Sequence, residues 1–178
     1  MSRWRPGDRR PDAASMLRVD QAGEYGATRI YAGQLAVLRR NCPEAKLIAR
    51  MAAQEERHLN HFDSLVAARR VRPTALQPLW NVAGFALGAV TALMSEQAAL
   101  ACTDAVETEI DRHYGSQLDE LGDEDPELAS AITEFRADEV DHRDSARAAG
   151  AKDAIGYRLL TAAIRAGCRV AIGLSKRI

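Results

Sequence analysis

The sequence predicts an all-α fold, a four-helix bundle made of two duplicated helical pairs, on three observations. Ala, Leu, Arg and Glu dominate a chain of 178 residues, and these residue types favour helix over strand. No stretch alternates apolar and polar residues with period two, so no sheet is expected. The chain also repeats itself. Glu24 precedes the word Glu55-Glu56-Arg57-His58 by 31 positions, and Glu107 precedes Glu139-Val140-Asp141-His142 by 32.

Taken in order, residues 1–14 read as a flexible arm and 15–178 as a single helical-bundle domain. Arg3, Arg5, Arg9 and Arg10 lie in the arm without an apolar run, so it is not a secretory signal, and Asp8 and Asp12 argue against a transit peptide. Ser15 is the expected N-cap of a helix running to Arg40. Pro43 suits the first turn of a second helix, to about Arg70. Core helices three and four are expected near 96–121 and 126–149. Gly122 stops the former, Asp125-Pro126 starts the latter and Gly150 ends it.

Between the two pairs, Pro73 to Ser95 contains no charged residue, and Leu79 to Met94 is almost wholly hydrophobic. Asn81, Gly84, Gly88 and Thr91 weaken it as a membrane span, and a buried or half-inserted crossover helix is expected. A last helix should run from about Ala151. In it Arg158, Arg165, Arg169 and Lys176 form one stripe, and Ile155, Leu159, Ala166, Val170 and Leu174 another. A basic amphipathic helix of this kind lies on an anionic membrane or packs on the bundle with its basic side solvated; the apolar crossover favours the membrane.

Composition excludes some classes of function. A net charge of −1 gives no field for nucleic acid, and Cys42, Cys102 and Cys168 are too far apart for a metal knuckle and odd in number, which suits a reduced environment. No GxGxxG or P-loop is present, so a reductant would act without a dinucleotide-binding domain.

The repeat carries the chemistry. Residues i and i+3 share a helix face, so each Glu-x-x-His aims a carboxylate and an imidazole at one point. Among four histidines, roughly 0.3 such matches would arise by chance; two occur. Setting Glu24 on Glu107 also aligns Ala22 with Ala105, Arg29 with Arg112, Tyr31 with Tyr114, Gln34 with Gln117 and Leu35 with Leu118. Two such words and two single glutamates are the ligand set of a dinuclear site in a ferritin-like bundle, a topology that uses one long crossover. Glu24 and Glu107 are the expected terminal ligands, Glu55 and Glu139 the bridges, His58 and His142 the nitrogen ligands. Carboxylate bridges with one imidazole per metal suit two iron ions first and manganese second. Asp138 and Gln54 hold equivalent places beside the words; Asp138 is either an acceptor for a ligand histidine or a solvated acid. His113 and Tyr114 either line the substrate side, carry electrons or, for Tyr114, pack in the bundle. His61 reads as a surface residue.

The run Arg18-Val19-Asp20-Gln21-Ala22-Gly23-Glu24-Tyr25-Gly26-Ala27 and then Arg29-Ile30-Tyr31-Ala32-Gly33-Gln34 resembles the first helix of the demethoxyubiquinone hydroxylases of ubiquinone biosynthesis. Glu55 to Leu59, Trp80 to Leu87, Ala101 to Glu107, His113-Tyr114 and Phe135 to His142 extend the resemblance over residues 16–178. Gln21 stands where many relatives have His. The resemblance implies a di-iron monooxygenase that hydroxylates the ring of a demethoxy-prenylquinol with O2. It also implies NADH as electron donor, directly or through the quinone, and a peripheral place on the cytoplasmic side of the cell inner membrane. The protein partners it leaves open are a second copy of the chain and other ubiquinone-biosynthesis proteins. The competing readings are a ferritin-class iron-storage protein and a non-enzymatic lipid-binding bundle.

Overall fold

A computed structural model describes residues 11–178; most of the expected arm lies outside the described residues. Six α-helices follow one another, with no strand among the described residues. They are α1 (Ala13–Val37), α2 (Pro43–Ala68), α3 (Gln77–Met94), α4 (Glu96–Leu121), α5 (Pro126–Ala148) and α6 (Tyr157–Ser175), with a 3-10 turn at Ala151–Asp153 before α6.

Most helix boundaries follow the expected signals. Pro43 and Pro126 occupy first turns, and the Asp125 side chain accepts from Leu128 N. Gly122 and Gly150 take positive φ, 54° and 102°, where a Cβ would be strained. Three expectations are corrected. The N-cap of α1 is Asp12, which accepts from Ser15 N at 3.0 Å, so Ala13 and Ala14 are helical rather than part of an arm. The helix ends at Val37, not Arg40. The last helix begins at Tyr157, because Gly156 adopts φ 70° after the 3-10 turn.

α1 pairs with α2 and α4 with α5. The bundle core forms two apolar masses with the polar centre between them. One holds Leu17, Phe62, Leu121, Leu128, Ile132 and Phe135, the other Tyr31, Ile48, Met51, Ala99, Leu100 and Ala146. The crossover α3 lies along α1 with almost no side chain between the backbones. A Cβ on Gly88 would stand 1.9 Å from the Ile30 carbonyl oxygen, and one on Gly33 would stand 2.1 Å from that of Phe85.

Only Gly88, Thr91 and Ala92 of α3 are buried. Its outer face shows Val82 at 69% and Leu93 at 72% exposure. On α6, Ile164, Leu160 and Cys168 face the bundle, while Ile155 and Leu159 are 95% and 79% exposed. The expected basic stripe is divided: Arg165 Nε donates to Glu109 Oε1 at 2.7 Å and Arg169 Nη1 at 3.3 Å. Those two charges clamp α6 to α4, and the outward face of α6 is largely apolar. No described helix is long and apolar enough to cross a membrane.

Candidate metal centre

Four helices each contribute to one point. Glu24 comes from α1, Glu55 and His58 from α2, Glu107 from α4, Glu139 and His142 from α5, and none is more than 1% exposed. Two overlapping groups form: Glu24, Glu55, His58 and Glu139, then Glu55, Glu107, Glu139 and His142. Glu55 and Glu139 belong to both. His58 Nδ1 lies 3.2 Å from Glu139 Oε1 and 3.6 Å from Glu24 Oε2. His142 Nδ1 lies 3.1 Å from Glu55 Oε1 and 3.5 Å from Glu139 Oε2. Glu139 therefore turns one oxygen to each imidazole.

The outward atoms of this cluster are held and the inward ones are not. Tyr31 donates to Glu107 Oε1 at 2.6 Å, and Tyr114 donates to Glu24 Oε1. His58 Nε2 donates to Asp138 Oδ2 at 3.0 Å and His142 Nε2 to Gln54 Oε1 at 3.1 Å, an assignment that follows because both partners are acceptors. This leaves Nδ1 of each histidine, both oxygens of Glu55 and Glu139, and Oε2 of Glu24 and Glu107 buried without a hydrogen-bond donor or acceptor. Buried polar groups are normally paired, so an orphaned set converging on one point is a candidate cation site. Four carboxylates and two imidazoles also match the hard-oxygen, borderline-nitrogen donor set of iron or manganese.

Burial pushes the Glu55 carboxyl well above the usual carboxylate range, and the Glu139 and Glu24 charges push it further. Burial and Glu139 do the same to Glu107. Glu139 is raised by burial, with His58 opposing. Burial pulls the His58 imidazole down, but the adjacent Glu139 and Glu24 outweigh it and raise it to about 10. Burial lowers His142. Both tyrosines are raised well above the phenol range by burial and by the carboxylates they touch, which keeps them neutral donors.

Asp138 is a histidine acceptor with a partly exposed side chain (34%), and it serves the histidine of the opposite half. Tyr114 points inward and touches Glu24; its neighbour His113 lies outside the cluster, with Nε2 3.5 Å from Asp20 Oδ1. His61 is exposed and edge-on to Phe62 and Phe135. Phe135 stacks on His58, ring centroids 4.1 Å apart, and closes that side. Tyr31 is a contact to the cluster that sequence reasoning left without a role, although its alignment with Tyr114 was the signal for it. Asp20, one turn before Glu24, is buried with neither oxygen hydrogen-bonded, and burial raises its carboxyl; nothing in its spacing marked it.

Residues 11–175 match the family model described as "Ubiquinone biosynthesis protein COQ7". The chain belongs to that family. A relative from Rhodospirillum rubrum, named 3-demethoxyubiquinol 3-hydroxylase, is 54% identical over 175 residues, covering 97% of this chain and 82% of its own. The human relative, named NADPH-dependent 3-demethoxyubiquinone 3-hydroxylase, mitochondrial, is 51% identical over 167 residues, or 92% and 76% of the two chains. The Saccharomyces cerevisiae relative, named 5-demethoxyubiquinone hydroxylase, mitochondrial, is 44% identical over 179 residues, or 92% and 77%.

Proposed function

We propose that this COQ7-family chain is a 3-demethoxyubiquinol hydroxylase, a monooxygenase that inserts one oxygen atom of O2 into the quinol ring in ubiquinone biosynthesis. Its relatives carry hydroxylase names, which disfavours storage and purely lipid-binding readings. The observation that supports a redox centre is the convergence of orphaned carboxylate and imidazole atoms shared through Glu55 and Glu139.

Glu24 and Glu107 would each hold one metal, Glu55 and Glu139 both, and His58 and His142 one each through Nδ1. Two ferrous ions there would match the four carboxylate charges and supply the binding and reduction of O2. Tyr31 and Tyr114 each fix one oxygen of a terminal glutamate and leave the other free. Asp138 and Gln54 hold the imidazoles in the tautomer that presents Nδ1 inward. Their difference makes the halves unequal: His58 donates to a carboxylate and is the more basic, His142 to a neutral amide. The apolar masses above and below exclude bulk water.

The overall reaction consumes two electrons and two protons: one oxygen atom enters the ring and the other leaves as water. The electrons come from a reduced nicotinamide nucleotide, NADH by the sequence resemblance, while the mammalian relatives are named for NADPH. The apolar outer faces of α3 and α6 suit a peripheral seat on the cytoplasmic side of an inner membrane, from which a prenylated quinol reaches the bundle.

The test is to supply purified protein with demethoxyquinol, reductant and labelled O2, and to assay bound metal. Label in the product ring with about two irons per chain is expected. Full hydroxylation by Glu55→Ala or His142→Ala, with iron retained, would refute the site.

A further inference from the structure

The two halves of the repeat match at the metal centre but not beside it. The alignment that sets Glu24 on Glu107 and Tyr31 on Tyr114 also sets Asp20 on Thr103 and Ile30 on His113. Ile30 lies in an apolar cluster with Cys102, Ala105, Val106 and Ile164 of α6. His113 lies beside a buried carboxylate instead. One flank of the centre is therefore dry and the other polar.

On the polar flank, Asp20 of α1 is 2% exposed, and neither of its oxygens is hydrogen-bonded. His113 Nε2 of α4 stands 3.5 Å from Asp20 Oδ1. That nitrogen, and both amide atoms of Gln117 one turn further on, are also buried without a partner. Burial raises the Asp20 carboxyl, and His113 and Gln117, which face it, oppose the rise. Inward of Asp20 is Tyr114, whose hydroxyl is raised by burial and then by the charges of Glu24 and Asp20; Tyr114 donates to Glu24. Outward, the His113 side chain is 20% exposed. The order from solvent to the centre is His113, Asp20, Tyr114, Glu24. A carboxyl buried without full pairing costs stability, and the other half fills the same place with the uncharged Thr103.

We infer that His113 and Asp20 form the proton inlet of the metal centre. The inference rests on the hydroxylase reading above, in which each turnover consumes two protons. A proton from solvent enters at His113 Nδ1 as the Nε2 proton passes to Asp20. Asp20 gives one, through a bridging water, to the Tyr114 hydroxyl oxygen, and Tyr114 gives its own to Glu24 and so to the oxygen atom that leaves as water. Each group gains a proton on one side as it loses one on the other, so no residue along the chain keeps a changed charge. The dry flank, on the side where α6 packs, is left to the apolar substrate.

Two readouts test this. The first needs neither iron nor turnover. In metal-free protein with isotope-labelled tyrosine, the buried hydroxyl protons of Tyr31 and Tyr114 are assigned by NMR with Tyr31→Phe and Tyr114→Phe, and their exchange with solvent is timed. Tyr31 is the internal reference, because its flank holds Ile30 in place of His113. The Tyr114 proton should exchange about tenfold faster than the Tyr31 proton, as expected for a positioned acid–base chain. Asp20→Asn and His113→Ala should each bring the two rates together. Imidazole should restore Tyr114 exchange in His113→Ala, where the vacated site opens to solvent, and not in Asp20→Asn.

The second readout is hydroxylation by iron-loaded protein. In both variants kcat should fall about 100-fold, with iron content and KM for the quinol unchanged, and imidazole should again rescue only His113→Ala. His61→Gln, at an exposed histidine of α2, should behave as wild type in both. If Asp20→Asn does not fold, by far-UV circular dichroism, His113→Ala with and without imidazole decides alone.

Equal exchange of the two hydroxyls in wild type overturns the proposal, as does His113→Ala that exchanges and turns over like wild type. A loss in His113→Ala that imidazole does not restore marks a structural role and also overturns it. So does a raised KM with kcat kept, which assigns His113 to the substrate. Wild type that hydroxylates nothing refutes the monooxygenase reading, and the exchange difference with its rescue by imidazole still decides for or against the inlet.

Discussion

Tyr31 on α1 donates its hydroxyl to Glu107 on α4, at 2.6 Å and fully buried. Its counterpart Tyr114 on α4 donates to Glu24 on α1. Gln34 reaches Ala99 O and Thr103 on α4, and His58 and His142 exchange partners with Asp138 and Gln54 in the same crossed way. Each half of the repeat is completed by the other, so neither helical pair has a whole centre alone.

Tyr31→Phe removes the donor and leaves a buried Glu107 oxygen unsatisfied. The metal-free variant should lose about 1–3 kcal/mol of stability, and affinity for iron or cobalt should fall by roughly 10- to 100-fold. Titration calorimetry and urea melts check both. Tyr114→Phe should behave alike at Glu24; a variant with unchanged affinity would show that the phenol does not position the carboxylate.

Asp138→Ala leaves His58 Nε2 without its acceptor, and roughly 10- to 100-fold in metal affinity should go with it. Gln54→Glu should make the two halves more alike. Cobalt-substituted protein gives the readout: its d–d spectrum should show two distinct environments in wild type and converging ones in Gln54→Glu.

Gly88→Ala should destabilise strongly, because the new methyl meets the Ile30 carbonyl at 1.9 Å and backbone must move; overpacking costs about 1–3 kcal/mol, occasionally more. Gly23→Ala on α1 meets nothing within 4 Å and should stabilise by roughly 0.5–1 kcal/mol through helix propensity. Thermal melts of the two variants should shift in opposite directions.

Arg69 ties the end of α2 to the start of α5 by pairing with Asp125 and with Glu127, the latter at 2.6 Å. The Arg69 hydrogen bonds hold the Asp125 carboxyl below its usual range, burial opposing. A depressed folded-state value means the stabilisation is present above the unfolded carboxyl range and is lost as pH falls through the folded value. Asp125→Asn should therefore cost about 1 kcal/mol at neutral pH, after allowance for solvent screening, and progressively less below about pH 4. Urea melts across pH 2–7 test this, and a gap that widens in acid would contradict it.

Much of the centre was legible from local order. Helical spacing alone puts Glu55 with His58 and Glu139 with His142, and the repeat supplies Glu24 and Glu107 in register. Proline and glycine punctuation placed α2, α4 and α5 within two residues. The start of α1 was read late because Asp12 and Ser15 are both good caps, and the hydrogen bond from Ser15 N to Asp12 decides between them. The stripe on α6 was read as uniformly basic because nothing local shows that Glu109, more than 50 residues away, takes two of its arginines.

By itself, then, the sequence determined the helices, their faces and the kinds of atoms aimed inward, since each depends on spacing within one helix. Only the tertiary structure decided the pairings. Tyr31 lies two turns beyond Glu24, about 10 Å along the same axis, and cannot serve it. Antiparallel packing of α1 on α4 brings Tyr31 level with Glu107 and Tyr114 level with Glu24, and the same packing of α2 on α5 crosses the histidine partners. Which oxygen is held by a phenol and which is left without a hydrogen bond is a property of that packing.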